Sequence, residues 1–138
     1  MSRLPRLHAT VEQYLVEMEL SFDGDGPWLF RTGDAVLVIS LFEHGEDTFC
    51  RVTAVLLEQL EPTLELLQHL LRLNTEVLFG SFLLFEENSL AFSATLLGNH
   101  LDLDEFAKTL RYVAHVAQLH TEDLAALAGG LAPLATRA

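Results

Sequence analysis

The chain has 138 residues, with eight Lys and Arg against 20 Asp and Glu, and a formal net charge of −12. This charge repels phosphate groups, so it argues against direct nucleic-acid binding and anionic membrane surfaces and favours basic or neutral protein partners. Half of the residues are hydrophobic and the mean hydropathy is +0.28. One domain of this length can therefore bury a full core and still expose apolar surface.

The sequence predicts neither a membrane span nor a signal peptide. No segment approaches the ~18 apolar residues of a membrane span, and the N-terminus lacks the apolar core and cleavage site of a signal peptide. The single cysteine, Cys50, rules out an intrachain disulfide, favours a reducing cytoplasm and is expected to be a buried, inert thiol. We therefore expect one cytoplasmic domain over residues 1–138, with an ordered core over about 7–128.

The first part of the chain predicts a helix followed by three strands. A capping-box pattern at residues 10–13 and apolar residues at helical spacing predict a first helix over 11–20, after a loose lead-in over 1–8. The segment 23–27, rich in Gly and Asp, predicts a loop. Apolar and alternating residues then predict an antiparallel meander with one covered face, formed by strands over 28–31, 35–42 and 48–56.

The leucine-dense segment 60–73 predicts the second helix, with Pro62 at its first position and Asn74 at its end. At ~100° per residue its leucines form two adjacent rows that together occupy about half of the circumference. One row is Leu60, Leu64, Leu67 and Leu71, and the other is Leu66, Leu70 and Leu73.

This helix carries more apolar surface than one interface requires, because a single packed face needs a stripe of about 100°. We therefore expect one row to pack on the chain's own sheet and the other on a second copy of the chain. Burial of both rows in a single deep core is the alternative. The residues expected at the dimer interface are Leu64, Leu67, Leu70 and Leu71.

The last part of the chain predicts a hairpin and a long helix. Strands over 78–85 and 89–97 are joined by a tight loop in which Asn88 can take positive φ. Acidic residues at 102–105 open a helix that reaches Ala128, and a frayed tail follows over 131–138. The predicted fold is α+β, with the order α-β-β-β-α-β-β-α and an antiparallel sheet flanked by helices.

The polar residues form no catalytic or metal-binding pattern. His115 and His120 lie about 140° apart on a helix and cannot share a ligand face. The turn at 44–47 offers isolated ligands, and the pair Asp23 and Asp25 lacks the later oxygen ligands of a calcium loop. We expect no enzymatic activity, no metal and no cofactor. A hydrolase or metal enzyme without a familiar motif is the remaining alternative.

Apolar side chains around the predicted first strand are candidates for a binding groove. Methionine and aromatic residues are typical of peptide-binding surfaces, and an edge strand offers unpaired N–H and C=O groups for docking. The candidate client-binding residues are Tyr14, Met18, Trp28 and Phe30. The alternative is that the same residues only seal the first helix onto the sheet.

Four predicted features follow one another in the second half of the chain. They are a Leu-rich helix ending in Asn (70–74), a strand containing Gly (80–82), a hairpin (86–89) and a helix opened by acidic residues (102–106). With these features the segment 70–117 resembles the YbjN family. The element order of the whole chain is similar to the type III secretion chaperone fold. The resemblance implies a compact α+β homodimer that binds flexible segments of a client and has no enzymatic activity.

The leading hypothesis is thus a dimeric adaptor or chaperone that holds a flexible segment or tail of another protein. The alternative is a regulatory module that binds a folded partner through its dimer surface. A short synthetic peptide should compete with the first mode of binding and leave the second unaffected.

Overall fold

The structure, a computed structural model, describes residues 2–133. Its helices and strands follow the predicted order, so the fold class is α+β as predicted. The elements are α1 (Leu4–Glu17), β1 (Trp28–Thr32), β2 (Ala35–His44), β3 (Asp47–Leu57), α2 (Leu64–Leu73), β4 (Ser81–Leu84), β5 (Leu90–Leu97) and α3 (Leu103–Ala128). The last residues of the predicted frayed tail, 134–138, lie outside the described residues.

The five strands form one antiparallel sheet in the order β1-β2-β3-β5-β4. β1, β2 and β3 form the predicted meander, and β5 pairs with β3 from its other side. β4 and β5 form the predicted hairpin, and Asn88 in its loop has a φ of 61°. The two edge strands of the sheet are therefore β1 and β4.

The core lies on one face of the sheet, where the helices pack. Side chains that point to this face, such as Ile39, Val52 and Phe92, are fully enclosed together with Leu15 of α1 and Leu66 of α2. The register agrees with this arrangement, because Val52 stands opposite Ile39 on one side and Ala94 on the other. The predicted alternation of β3 is confirmed by the burial of Cys50, Val52, Ala54 and Leu56.

α1 begins seven residues earlier than predicted. The Ser2 hydroxyl accepts the Leu4 N–H at 3.0 Å, and Pro5 lies in the first turn, where its missing N–H costs nothing. The Thr10 hydroxyl donates to the Arg6 carbonyl at 3.0 Å inside the helix. The predicted capping box at Thr10 is therefore wrong, and most of the predicted lead-in is helical.

The other two helices start at side-chain caps. The Thr63 hydroxyl accepts a backbone N–H of the first turn of α2 at 3.2 Å, so Pro62 precedes the cap instead of opening the helix. Asn74 ends α2 as predicted. The Asp102 carboxylate accepts a first-turn N–H of α3 at 2.8 Å, and Gly129, with a φ of 71°, ends that helix.

Candidate functional site

The outer side of β1 has no strand partner among residues 2–133. The two-residue turn 33–34 joins β1 to β2, and Thr32 pairs with Ala35 across it. Hydrogen-bonded and non-hydrogen-bonded pairs alternate from such a turn. The N–H and C=O groups of Leu29 and Arg31 therefore point away from β2, toward the free edge of the sheet.

The opposite edge of the sheet is covered at Phe82 of β4. The Phe82 N–H donates to Oδ1 of Asn74 at 2.6 Å, and Nδ2 of Asn74 donates to the Phe82 carbonyl at 3.3 Å. The Asn74 amide thus makes the two hydrogen bonds that a neighbouring strand would make. One edge of the sheet is thus covered by a side chain at Phe82, whereas no strand in the described part of the chain covers β1.

A cavity of about 160 Å³ opens at the start of β1. The pairing of β1 with β2 stops at Trp28 and Ile39, whereas β2 continues to His44. This last part of β2 therefore also lacks a strand on that side within the described residues. The cavity is mostly apolar and is lined by Leu4, His8, Asp25, Gly26, Pro27, Trp28, Ile39, Ser40 and Leu41.

Trp28, one of the four predicted client-binding residues, belongs to the core. Its side chain is only 2% exposed and packs against the rings of His8 and Phe22, with centroids 5.1 and 6.1 Å away. Its indole N–H donates to the Gly24 carbonyl at 3.4 Å. The expectation that Trp28 forms a wall of an open groove is corrected, because the loop before β1 encloses it; only part of the ring borders the small cavity.

Tyr14 lies on a different side of α1 from His8, the residue of this helix that contacts Trp28. Its hydroxyl donates to the Leu101 carbonyl at 2.9 Å, and its ring lies 5.8 Å from that of Phe106. Tyr14 and His8 are six residues apart, which turns them about 120° from each other on the helix. Tyr14 therefore seals α1 against the start of α3, and the structure does not bring it together with Trp28.

Met18 and Phe30, the other two candidates, are half-buried and pack on the edge of the core. Phe30 belongs to β1 and pairs with Leu37, so its side chain points to the helix-covered face. Leu29, its neighbour on the opposite face, is exposed. A strand docked on β1 would thus meet an aromatic side chain on one face and an aliphatic side chain on the other.

The two predicted leucine rows separate within α2, but Leu60, which we placed in the outer row, precedes the helix and is buried in the core. Leu66 and Leu73 of one row are buried in the chain's own core, whereas Leu64 and Leu71 of the other are 71% and 69% exposed. Leu67 is 38% exposed. Leu70, which we expected at the dimer interface, is only 6% exposed because it belongs to the inward row. Most of its surface is already used inside the chain.

The thiol of Cys50 lies inside the core of this fold. The side chain is fully buried, and burial raises its pKa to about 12. The thiolate, which is the nucleophilic form, is therefore almost absent at neutral pH. The burial of Cys50 confirms the prediction of a buried thiol, and the raised pKa agrees with the expectation that it is inert.

Three potential metal ligands that we did not predict as a group come together beside the cavity: His8, Glu12 and Asp25. The i, i+4 spacing of His8 and Glu12 places them on one helix face and was visible in the sequence. The approach of Asp25 to this pair was not visible in the sequence, because it depends on how the loop before β1 folds back on α1.

Residues 5–136 match the family described as the T3SS (YopN, CesT) and YbjN peptide-binding chaperone 1 family. The chain belongs to this family. The match spans nearly the whole chain, so the YbjN resemblance of the segment 70–117 is confirmed. The family is described by peptide binding and not by a reaction. No curated protein matches the sequence.

Two solved structures share the fold. ExsC in the crystal structure of the ExsC–ExsE complex superposes with a TM-score of 0.70 at 16% identity, over 90% of this chain and 97% of the other. The crystal structure of YbjN from E. coli gives a TM-score of 0.56 at 16% identity, over 87% and 93% of the two chains. At this identity the similarity concerns the fold. Within residues 2–133, no helix has the length and hydropathy needed to cross a bilayer.

Proposed function

We propose that this protein is a non-enzymatic chaperone that holds a flexible segment of a client protein in extended form along the β1 edge. The observation that carries the proposal is the asymmetry of the sheet. Asn74 covers the β4 edge at Phe82, and the β1 edge has no strand neighbour among residues 2–133 of this member of a peptide-binding chaperone family. The ExsC–ExsE complex supports partner binding by this fold.

The backbone of the client segment would supply most of the affinity. Its N–H and C=O groups would pair with those of Leu29 and Arg31, as in other cases of strand addition. Side chains on one face of the added strand would lie near Phe30 and the small cavity, and those on the other face near Leu29. The net charge of −12 favours clients that are basic or neutral in this segment.

The proposal includes a homodimer formed through the outward row of α2. Leu64, Leu67 and Leu71 lie about 100° to 160° around the helix from buried Leu66. Leu78 and Phe79, which follow α2 in the chain, are also exposed. An apolar surface of this kind is unusual on a monomer and is typical of a subunit interface. A second copy of the chain is the partner that we propose for it.

Two substitutions at one position test the client site. Leu29→Ala and Leu29→Pro both remove the exposed side chain, but only proline removes the outward N–H. An edge strand tolerates proline at a position whose N–H faces away from its partner. A peptide selected from a random phage-displayed library on the wild-type protein provides the probe, and titration calorimetry measures its affinity for each variant.

We expect Leu29→Ala to bind the peptide less than about fivefold more weakly than wild type. Leu29→Pro should bind it at least about tenfold more weakly than Leu29→Ala, because proline removes one backbone hydrogen bond and also the room for the added strand. Circular dichroism and the urea midpoint establish that both variants are folded. Equal affinities of the two variants would refute docking at the β1 edge. Failure to select any peptide would favour the alternative of a module that binds a folded partner.

A further inference from the structure

The side chains of His8, Glu12 and Asp25 converge where the loop before β1 crosses α1. One ligand atom from each residue lies within 4.8 Å of the other two. His8 and Glu12 come from successive turns of α1, and Asp25 comes from the loop. His8 and Glu12 are partly shielded from solvent, and Asp25 is exposed. The group is therefore held by two separate segments and remains open to ions from solvent.

The hydrogen bonding of His8 determines which of its ring nitrogens can bind a ligand. Nε2 lies 2.6 Å from the Asp25 backbone carbonyl. A carbonyl oxygen only accepts, so Nε2 must carry a hydrogen and donate it. In the neutral ring this leaves Nδ1 with a free lone pair, and Nδ1 faces Oε1 of Glu12 at 3.3 Å. Contact at this distance requires a positive charge between the two atoms, which is either a proton on Nδ1, as in an ion pair with Glu12, or a bound metal cation.

We infer that His8, Glu12 and Asp25 form a binding site for a divalent cation of the zinc class. Metal-bound histidines commonly donate their second ring N–H to a backbone carbonyl, as His8 does here. Ligand atoms around a tetrahedral zinc, each at about 2.0–2.1 Å, lie about 3.3 Å apart. The His8–Glu12 distance of 3.3 Å already has this value. The ligand atom of the exposed Asp25 carboxylate lies within 4.8 Å of the other two, so it needs to approach by at most about 1.5 Å.

The chemistry of the ligands selects the class of ion. One imidazole nitrogen with two carboxylates suits zinc and its first-row neighbours, whereas calcium and magnesium prefer oxygen ligands only. The net charge of −12 also attracts cations to the chain. The bound ion would tie α1 to the loop that encloses Trp28, at the rim of the cavity beside β1. The site does not depend on the proposed function and is tested with the metal alone.

The test uses the untagged full chain, treated with a chelator and titrated with zinc chloride in a calorimeter at about pH 8, because metal ligands must be deprotonated to bind. The variants are His8→Ala, which removes the nitrogen ligand, and Glu12→Gln, which keeps the size of the side chain. The matched control is His69→Ala. His69 is spaced four residues from Glu65 on α2, so it offers a helical His–Glu pair in reverse order, with no third ligand near it among residues 2–133.

We expect one zinc ion per chain, a loss of affinity of at least about tenfold in His8→Ala and Glu12→Gln, and a change of less than about twofold in His69→Ala. If His8→Ala unfolds because the ring contact with Trp28 is lost, Glu12→Gln decides alone, since the Glu12 carboxylate forms an ion pair only with His8 among residues 2–133. The inference is overturned if wild type shows no saturable zinc binding. It is equally overturned if Glu12→Gln binds like wild type, or if a large excess of calcium displaces the zinc.

Discussion

The amide of Asn74 is the feature whose removal tests the asymmetry of the sheet most directly. It binds both backbone groups of Phe82, at 2.6 and 3.3 Å. Asn74 has φ −64° and ψ −17°, a conformation that alanine adopts without strain. Asn74→Ala therefore deletes the two hydrogen bonds and leaves the backbone otherwise unchanged.

The expected loss of stability in Asn74→Ala follows from the two deleted hydrogen bonds. The short bond leaves a partly buried N–H donor without its acceptor, which costs about 1–3 kcal/mol, and the long bond contributes at most about 0.5 kcal/mol. We expect the free energy of unfolding to fall by about 2 kcal/mol, which is about a thirtyfold change in the folding equilibrium. The freed β4 edge should also pair with other chains, so the variant should self-associate more than wild type.

Urea unfolding followed by the fluorescence of Trp28 measures the change, since this is the only tryptophan and is buried in the core. Gln68→Ala, at an exposed position of the same helix, is the control and should change stability by less than about 0.5 kcal/mol. If Asn74→Ala is as stable as Gln68→Ala, water replaces the amide without cost. The idea that this side chain protects the edge would then be refuted.

Four further outcomes are expected from other parts of the molecule. Leu66→Ala should lower the free energy of unfolding in urea by about 2–5 kcal/mol, because Leu66 is fully buried. Leu64→Asp should leave the unfolding of the isolated chain nearly unchanged and reduce the mass measured by light scattering from dimer to monomer. A monomeric wild type would refute the dimer. Burial raises the pKa of the Cys50 thiol, so the unfolded chain loses the thiol proton first and the free energy of unfolding should fall as pH rises from about 9 toward 12. Between pH 9 and 10 this free energy should fall by about 1 kcal/mol more in wild type than in Cys50→Ala, and equal slopes would contradict the prediction. Gly80→Ala should lower the thermal midpoint by several degrees, because Gly80 has φ +82° and an added Cβ would lie 2.7 Å from the Ser93 carbonyl oxygen; an unchanged midpoint would show that the backbone relaxes there.

Local patterns predicted the elements of the fold because they report on each element separately. The alternation at Cys50 and Val52 identified the covered face of β3, and acidic residues at 102–105 identified the start of α3. The start of α1 was missed because Thr10 and Gln13 imitate a capping box within a helix that continues through them. A capping pattern thus indicates a helix end only when the preceding residues cannot be helical.

The candidate site was predicted less well than the fold. Tyr14, Met18, Trp28 and Phe30 were grouped because they are apolar and near β1 in sequence. Burial separates them in the structure, since Trp28 is enclosed by the loop before β1 and Tyr14 is turned toward α3. Composition could not make this distinction, because a core residue and a groove residue are often of the same type.

By itself, the sequence determined the order of the elements, the faces of the strands and the presence of two leucine rows on α2, because each of these follows from the spacing of apolar residues along one segment. Only the tertiary structure decided which row is inside, which edge of the sheet is free and which side chains meet. Asn74 reaches Phe82, and Asp25 reaches His8, across separate elements of the fold. Such contacts depend on how the elements pack, and the periodicity of a single segment carries no information about them.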